Sequence, residues 1–189
     1  MPIINEPETA LQEECKVMIT KAQPSDYQSI RFFYHSLIDA MEGSEYLPGW
    51  EKDVYPAPEV LQTEIEEGNF YYLRDGERIA AGMVVNWKCN EDYRTAKWPE
   101  NLNQDQFMVI HMLGVHPDFA GNGFAKEMVR FALDLARKAG MKAVRLDVLK
   151  GNVPAEKLYA GLGFQFIDSI QMFYEDTGWT EYELYEIKL

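Results

Sequence analysis

At 189 residues, 47% of them hydrophobic and including 10 Phe, 11 Tyr and 4 Trp, the chain is long and apolar enough for one well-buried core, which excludes a disordered polymer. Its 18 basic and 31 acidic residues leave a net charge of −13, which argues against a nucleic-acid partner, since a broad phosphate-binding surface needs clustered Lys and Arg. No apolar run approaches the roughly 18 residues of a bilayer span, so no membrane partner is expected either.

The opening MPIINEPETALQEE is acidic and has neither a basic nor an apolar signal region, so no secretory leader is expected. Cys15 and Cys89 follow no metal or redox spacing, which fits free thiols in a reducing cytoplasm. Residues 1–15 read as a tail or short helix, and 16–189 as one domain. KVMITKA (16–22) reads as a strand. Ser25 offers a helix cap with Gln28 three residues on, and Ile30, Phe33, Leu37, Ile38 and Met41 then recur at helical spacing up to Gly43. GSEYLPGWEKDVYPAP (43–58) is too rich in Pro, Gly and aromatics for regular structure, and a helix follows near 59–67. FYYLRDGERIAAGMVVNW (70–87) is a hairpin turning at Asp75–Gly76. After a polar connection (88–105), FMVIHMLGV (107–115) is a strand whose unbroken apolar character predicts cover on both faces. A helix to Gly140, a strand at 143–149, a short helix at 152–163 and strands near 164–173 and 181–188 complete the order. The class is α/β or α+β with a mixed sheet.

Between the 107–115 strand and its helix lies HPDFAGNGFAKEM. Gly121 and Gly123 can serve a turn that needs positive φ. A dinucleotide fingerprint fits poorly, because Lys126 holds the third glycine position and five residues separate strand from loop. The third reading is a pyrophosphate cradle, in which helix-start N–H groups attract anionic oxygens and the glycines let them approach.

NVPAEKLYAGLGF (152–164), taken together with LGVHPDFAGNGFA (113–125), resembles the GNAT superfamily of acyl-CoA-dependent N-acyltransferases. The resemblance extends by element order over most of the chain. It implies a single-domain sheet of about seven strands, mostly antiparallel, with one splayed parallel pair formed by 107–115 and 143–149. It implies acetyl-CoA as co-substrate, the pantetheine arm pairing with Leu113, Gly114 and Val115, and the phosphates meeting Ala120, Gly121, Asn122, Gly123, Phe124, Ala125 and Lys126. Ala120 departs from the usual Gln or Arg at the first place of the phosphate signature. Asn152 and Ala155 would flank the arm, Asn152 serving equally well as a helix cap, and Tyr159 would protonate the departing thiolate.

An amine of lysine-like pKa is roughly 99.9% protonated at neutral pH and needs a base. Many relatives place a glutamate where this chain has His111, an imidazole suited to the task or a hydrogen-bonded core residue. Strict strand alternation would set His111 on the face of Leu113 and Val115, with His116 opposite; no metal site is expected. The acceptor pocket would come from 42–58 and 173–183, where Trp50, Tyr55, Tyr174 and Trp179, with nearby acids, would favour an ammonium-bearing small molecule or peptide. The activity so implied is N-acetyl transfer by direct attack in a ternary complex, and a homodimer is the one assembly left open. The other reading is a catalytically silent CoA-binding sensor on the same fold.

Overall fold

A computed structural model describes residues 18–46 and 48–189. The expected tail, and Lys16 and Val17 of the first strand, lie outside the described residues. Described elements run β1 (Ile19–Lys21), α1 (Tyr27–Ala40), α2 (Pro58–Glu66), β2 (Phe70–Asp75), β3 (Arg78–Asn86), β4 (Phe107–Val115), α3 (Phe124–Lys138), β5 (Ala143–Leu149), α4 (Val153–Gly161), β6 (Gln165–Tyr174) and β7 (Gly178–Lys188). The seven strands form one sheet in the order β1-β2-β3-β4-β5-β7-β6, and the pairing is antiparallel throughout except between β4 and β5.

The helix cap falls elsewhere than Ser25 and Gln28 predict. Ser25 lies inside a single 3₁₀ turn, Pro24–Asp26, where the Gln23 N–H donates to Asp26 Oδ2 at 2.9 Å. Pro24, with its fixed φ, starts that turn, so the reciprocal cap closes ahead of Ser25 and α1 begins only at Tyr27.

The sheet is covered on both faces. On one, α3 buries Phe124, Met128, Val129, Ala132, Leu133 and Ala136 against Met108, Ile110 and β5. On the other, α1 and α2 bury Ile30, Phe33, Leu37, Leu61 and Ile65 against Phe70, Val84 and Met112. This double cover is why β4 reads as a continuous apolar run.

β4 carries a bulge. It pairs Gly114 with Gly82 but His111 with Val84, so Met112 and Leu113 stand opposite the single residue Met83. Met112 adopts φ 55, a left-handed conformation costing about 1–3 kcal/mol in a side-chain-bearing residue. Its carbonyl, freed from the ladder, accepts from the buried Tyr34 hydroxyl at 2.7 Å. The bulge overturns the alternation expected at His111: Leu113 and Val115 pack on the α3 side, whereas His111 meets Asn86, whose amide reaches α2 on the opposite side. His116 then lines a hollow with Phe33 and Ile79 of the α1 side, so the two histidines are not on opposed faces.

β4 and β5 share register only through Phe107–Ala143, Met108–Val144 and Val109–Arg145. Beyond that the parallel ladder ends, while β5 remains paired with β7 as far as Leu149–Tyr182. The gap so opened positions the site. Among the described residues no helix is long and apolar enough to cross a membrane.

Candidate active site

The opening between β4 and β5 is a slot lined by Leu113, Gly114 and Val115 along one strand and by Asn152, Ala155 and Tyr159 of the α4 start and helix. Leu37, Met41 and Trp50 roof it from α1 and the segment that follows. Gly114 is required here by clearance: a Cβ would stand 2.8 Å from Leu37 Cδ1 and 3.2 Å from the Trp50 ring. Gly114→Ala should therefore push the roof outward and lower stability by about 1–3 kcal/mol, read as a fall in Tm. An unchanged Tm would mean that Leu37 yields without cost.

At the end of the slot the chain turns at Ala120, and Gly121 (φ 83) and Gly123 (φ 80) are both left-handed. Gly123 is the residue before the first turn of α3, and a Cβ at either glycine would meet nothing within 4 Å. The first N–H groups of this 15-residue helix receive no side-chain cap from Gly123. Ala120, Asn122 and Lys126 are exposed around this corner, Ala125 lines the slot, and Phe124 turns its ring into the core, leaving only its backbone to a ligand. Arg130 is engaged by Glu127 at 2.8 Å. An acyl-CoA fits these features: an open-edged strand for the arm, and donors without a covering side chain for the phosphates.

A second cavity opens from the same slot toward the sheet's other half. Trp50, Tyr55, His111, Asp147, Tyr159, Tyr174, Asp176 and Tyr182 are among its lining. Sequence reasoning placed Trp50, Tyr55 and Tyr174 here, and the structure brings all three together, Tyr55 lying 6.0 Å centroid to centroid from both Trp50 and Tyr174. Trp179 does not join them. It is 67% exposed and stacks on Phe173, because β7 directs that position outward opposite Phe173 on the edge strand. Asp53 is also diverted: it accepts from Arg31 at 2.8 Å and contacts His35 at 2.9 Å, tying the 43–58 segment to α1.

The residue that sequence reasoning missed is Asp147. Its carboxylate accepts from the hydroxyls of Tyr93 at 2.7 Å and Tyr174 at 3.1 Å, within the cavity. Burial pushes its carboxyl above the usual range, opposed by the Tyr93 hydrogen bond, by His111 and by Tyr174. The available signal was an acid inside the mostly apolar AVRLDVL; its neighbour on that face, Arg145, pairs with Glu186 at 2.8 Å beneath Trp98 and Phe107. Asp176, at the β6–β7 turn, has a buried Oδ1 without a hydrogen-bond partner among the described residues.

His111 Nε2 lies 3.1 Å from Asn86 Oδ1 and 2.9 Å from the Lys88 carbonyl. Burial lowers its pKa, with Asp147 and the Lys88 carbonyl opposing, so the ring is neutral at neutral pH. Tyr159 is buried, touches both cavities, and packs edge-on against Phe164 at 5.5 Å. Burial, followed by the nearby Asp147 charge, pushes its phenol up, keeping it a proton carrier. Asn152 caps α4, accepting from the Ala155 N–H at 3.4 Å, and its side chain also edges both cavities.

These features define a class: a sheet opened between two parallel strands, with a helix start at one end of the gap and an aromatic, acidic cavity at the other. The acetyltransferase (GNAT) family profile matches residues 34–164, more than half of the chain. The chain belongs to that family, whose co-substrate is acetyl-CoA. It is 34% identical over 105 residues to an uncharacterized N-acetyltransferase of Methanocaldococcus jannaschii, a match covering 56% of this chain and 42% of that protein. The chain spans less than half the length of the curated relatives it matches. A GNAT-family acetyltransferase from Listeria monocytogenes shares the fold at TM-score 0.70 and 20% identity, over 92% of this chain and 95% of that one. Arabidopsis thaliana NAA60 in complex with acetyl-CoA does so at 0.65 and 16%, over 92% and 99%.

Proposed function

We propose that this chain transfers the acetyl group of acetyl-CoA to the primary amine of a small molecule or peptide, by direct attack in a ternary complex. The observation that carries this reading is that the slot and the aromatic, acidic cavity share Pro48, Trp50, Leu113, Asn152, Ala155 and Tyr159, so two substrates bound in them would meet at those residues. Acetyl-CoA would supply an activated acetyl group and depart as the thiol.

The residues divide the remaining work. Leu113, at the bulge, presents backbone freed from the β3 ladder, and its N–H can polarise a carbonyl laid along the slot. Asp147, Asp176 and the rings of Trp50 and Tyr55 attract an ammonium group through charge and cation–π contact. Neutral His111 takes a proton from that ammonium, and Tyr159 gives one to the sulfur. In sum one C–N bond forms and one C–S bond breaks. The ammonium loses two protons, of which one ends on the thiol and one reaches solvent.

The test is release of free CoA thiol from acetyl-CoA with a panel of primary amines spanning alkylamines, diamines, amino acid amides and short peptides. Turnover with at least one of them is expected. Acetyl-CoA binding without thiol release across the panel would replace the enzyme with a CoA-binding sensor. With an amine that reacts, Asp147→Asn should raise its KM about tenfold or more, since a charge-assisted hydrogen bond contributes roughly 1.5–3 kcal/mol. Affinity for acetyl-CoA should be unaffected. An unchanged amine KM would remove Asp147 from acceptor binding.

A further inference from the structure

His111 does not stand alone. Asn86, at the end of β3, has both amide atoms assigned by their neighbours: Oδ1 accepts from the Lys88 backbone N–H at 2.9 Å, and Nδ2 donates to Glu64 Oε2 at 3.0 Å. A backbone N–H can only donate, so the atom facing it is the oxygen, and the amide cannot be reversed without breaking both bonds. Glu64 is fixed in turn. This α2 carboxylate is buried, receives the Lys88 ammonium at 2.8 Å, and accepts from Asn69 Nδ2 at 2.8 Å. Lys88 also pairs with Glu67 at 2.7 Å.

The consequence reaches the imidazole. Both atoms facing His111 Nε2, the Asn86 Oδ1 and the Lys88 carbonyl, are acceptors. Nε2 must therefore carry the hydrogen, and in the neutral ring the lone pair resides on Nδ1. Among the described residues Nδ1 has no protein hydrogen-bond partner, and the ring lines the acceptor cavity beside Asp147 and Tyr159. We propose that Glu64, Asn86 and Lys88 form a positioning chain that fixes His111 as the Nε2–H tautomer and so offers Nδ1, as the proton-accepting atom, to the acceptor amine. The catalytic consequence rests on the reading of His111 as base; the tautomer itself does not.

The chain also sets the ring's charge balance. Glu64 from α2 and Asp147 from β5 favour the imidazolium, while Lys88 beyond β3 opposes it. Two conservative variants should then act with opposite sign. Glu64→Gln keeps the hydrogen-bonding shape and removes an anion, so His111 should titrate at lower pH. Lys88→Met removes a cation and leaves Glu64 held by Asn69 and Asn86, so His111 should titrate at higher pH. Each shift should be roughly several tenths of a pH unit or more. General loosening of the site would move both variants the same way.

The experiment is a two-bond ¹H–¹⁵N correlation series on the uniformly labelled full chain, with and without acetyl-CoA, across the imidazole range. The chain has 3 histidines, and His111→Gln assigns the relevant ring by its disappearance. The expected result is a neutral His111 protonated at Nε2, with its midpoint below the ordinary histidine value of about 6.5 and displaced in opposite directions by the two variants. A ring protonated at Nδ1, or variants that leave its midpoint unmoved, would overturn the proposal. Thiol release by His111→Gln separates the two claims. Undiminished release would end the reading of His111 as base and leave the tautomer result standing, whereas lost release beside unshifted variants would leave the base and end the positioning chain.

Discussion

Gly123→Asp should weaken acetyl-CoA binding by at least about tenfold, measured by calorimetry on the free protein. Gly123 occupies a left-handed conformation immediately before α3, with open space where its Cβ would project. That space is where a diphosphate would approach the helix-start N–H groups, so an aspartate there fills the approach and opposes the ligand's charge. Two like charges about 4 Å apart at a protein surface interact by about 4 kcal/mol in an effective dielectric near 20. Even after screening halves this, the loss exceeds the roughly 1.4 kcal/mol that changes affinity tenfold. Gly123→Ala supplies the control, since it adds the Cβ and a backbone strain of about 1–2 kcal/mol without the charge. Equal affinity for the wild type and Gly123→Asp would remove this corner from cofactor binding.

The second large effect is at Tyr159. Tyr159→Phe should lower kcat about 100-fold while changing the acetyl-CoA dissociation constant by no more than about twofold. The ring's contacts with Phe164 and Tyr185 do not involve the hydroxyl, so the variant should fold as the parent does. The phenol is held protonated by burial and by Asp147, and it borders both substrate cavities. Undiminished kcat would leave it a packing residue. A rise in the acetyl-CoA dissociation constant in step with the fall in kcat would point instead to damage in the slot.

The pH profile tests the partner in proton transfer. A base must be unprotonated to act, so activity that depends on His111 should fall as pH drops through its folded-state pKa. Burial, the largest influence, lowers that pKa against the opposing pull of Asp147 and the Lys88 carbonyl, so the acidic limb of kcat/KM should lie below about 6.5. A limb above that value would require the charged neighbours to outweigh desolvation.

Patterns local in the chain carried much of this architecture. The 3.6-residue spacing of Phe124, Met128 and Phe131 marked α3, Asp75–Gly76 marked the hairpin, and the loop glycines with the 152–164 segment marked the opened strand pair and its ligand. Each of these is set by backbone conformation or by a period within one element, and such features are written into consecutive residues. The bulge at Met112 is not. It arises where β4 must match β3 and satisfy Tyr34, and it reverses the face of every later side chain, which is how His111 comes to Asn86 rather than to the side of Leu113.

Asp147 likewise gains its meaning from Tyr93, 54 residues away, and Tyr174, 27 residues away. Trp179 looks like its aromatic neighbours in composition and differs only in which way β7 turns it. Sequence by itself thus determined most of the elements, the family and the glycine turn before α3. Tertiary structure alone decided which acid and which aromatics line the cavity beside His111. The physical reason is that hydrogen-bond partners and desolvation belong to pairs of segments, and neither is a property of one stretch of chain.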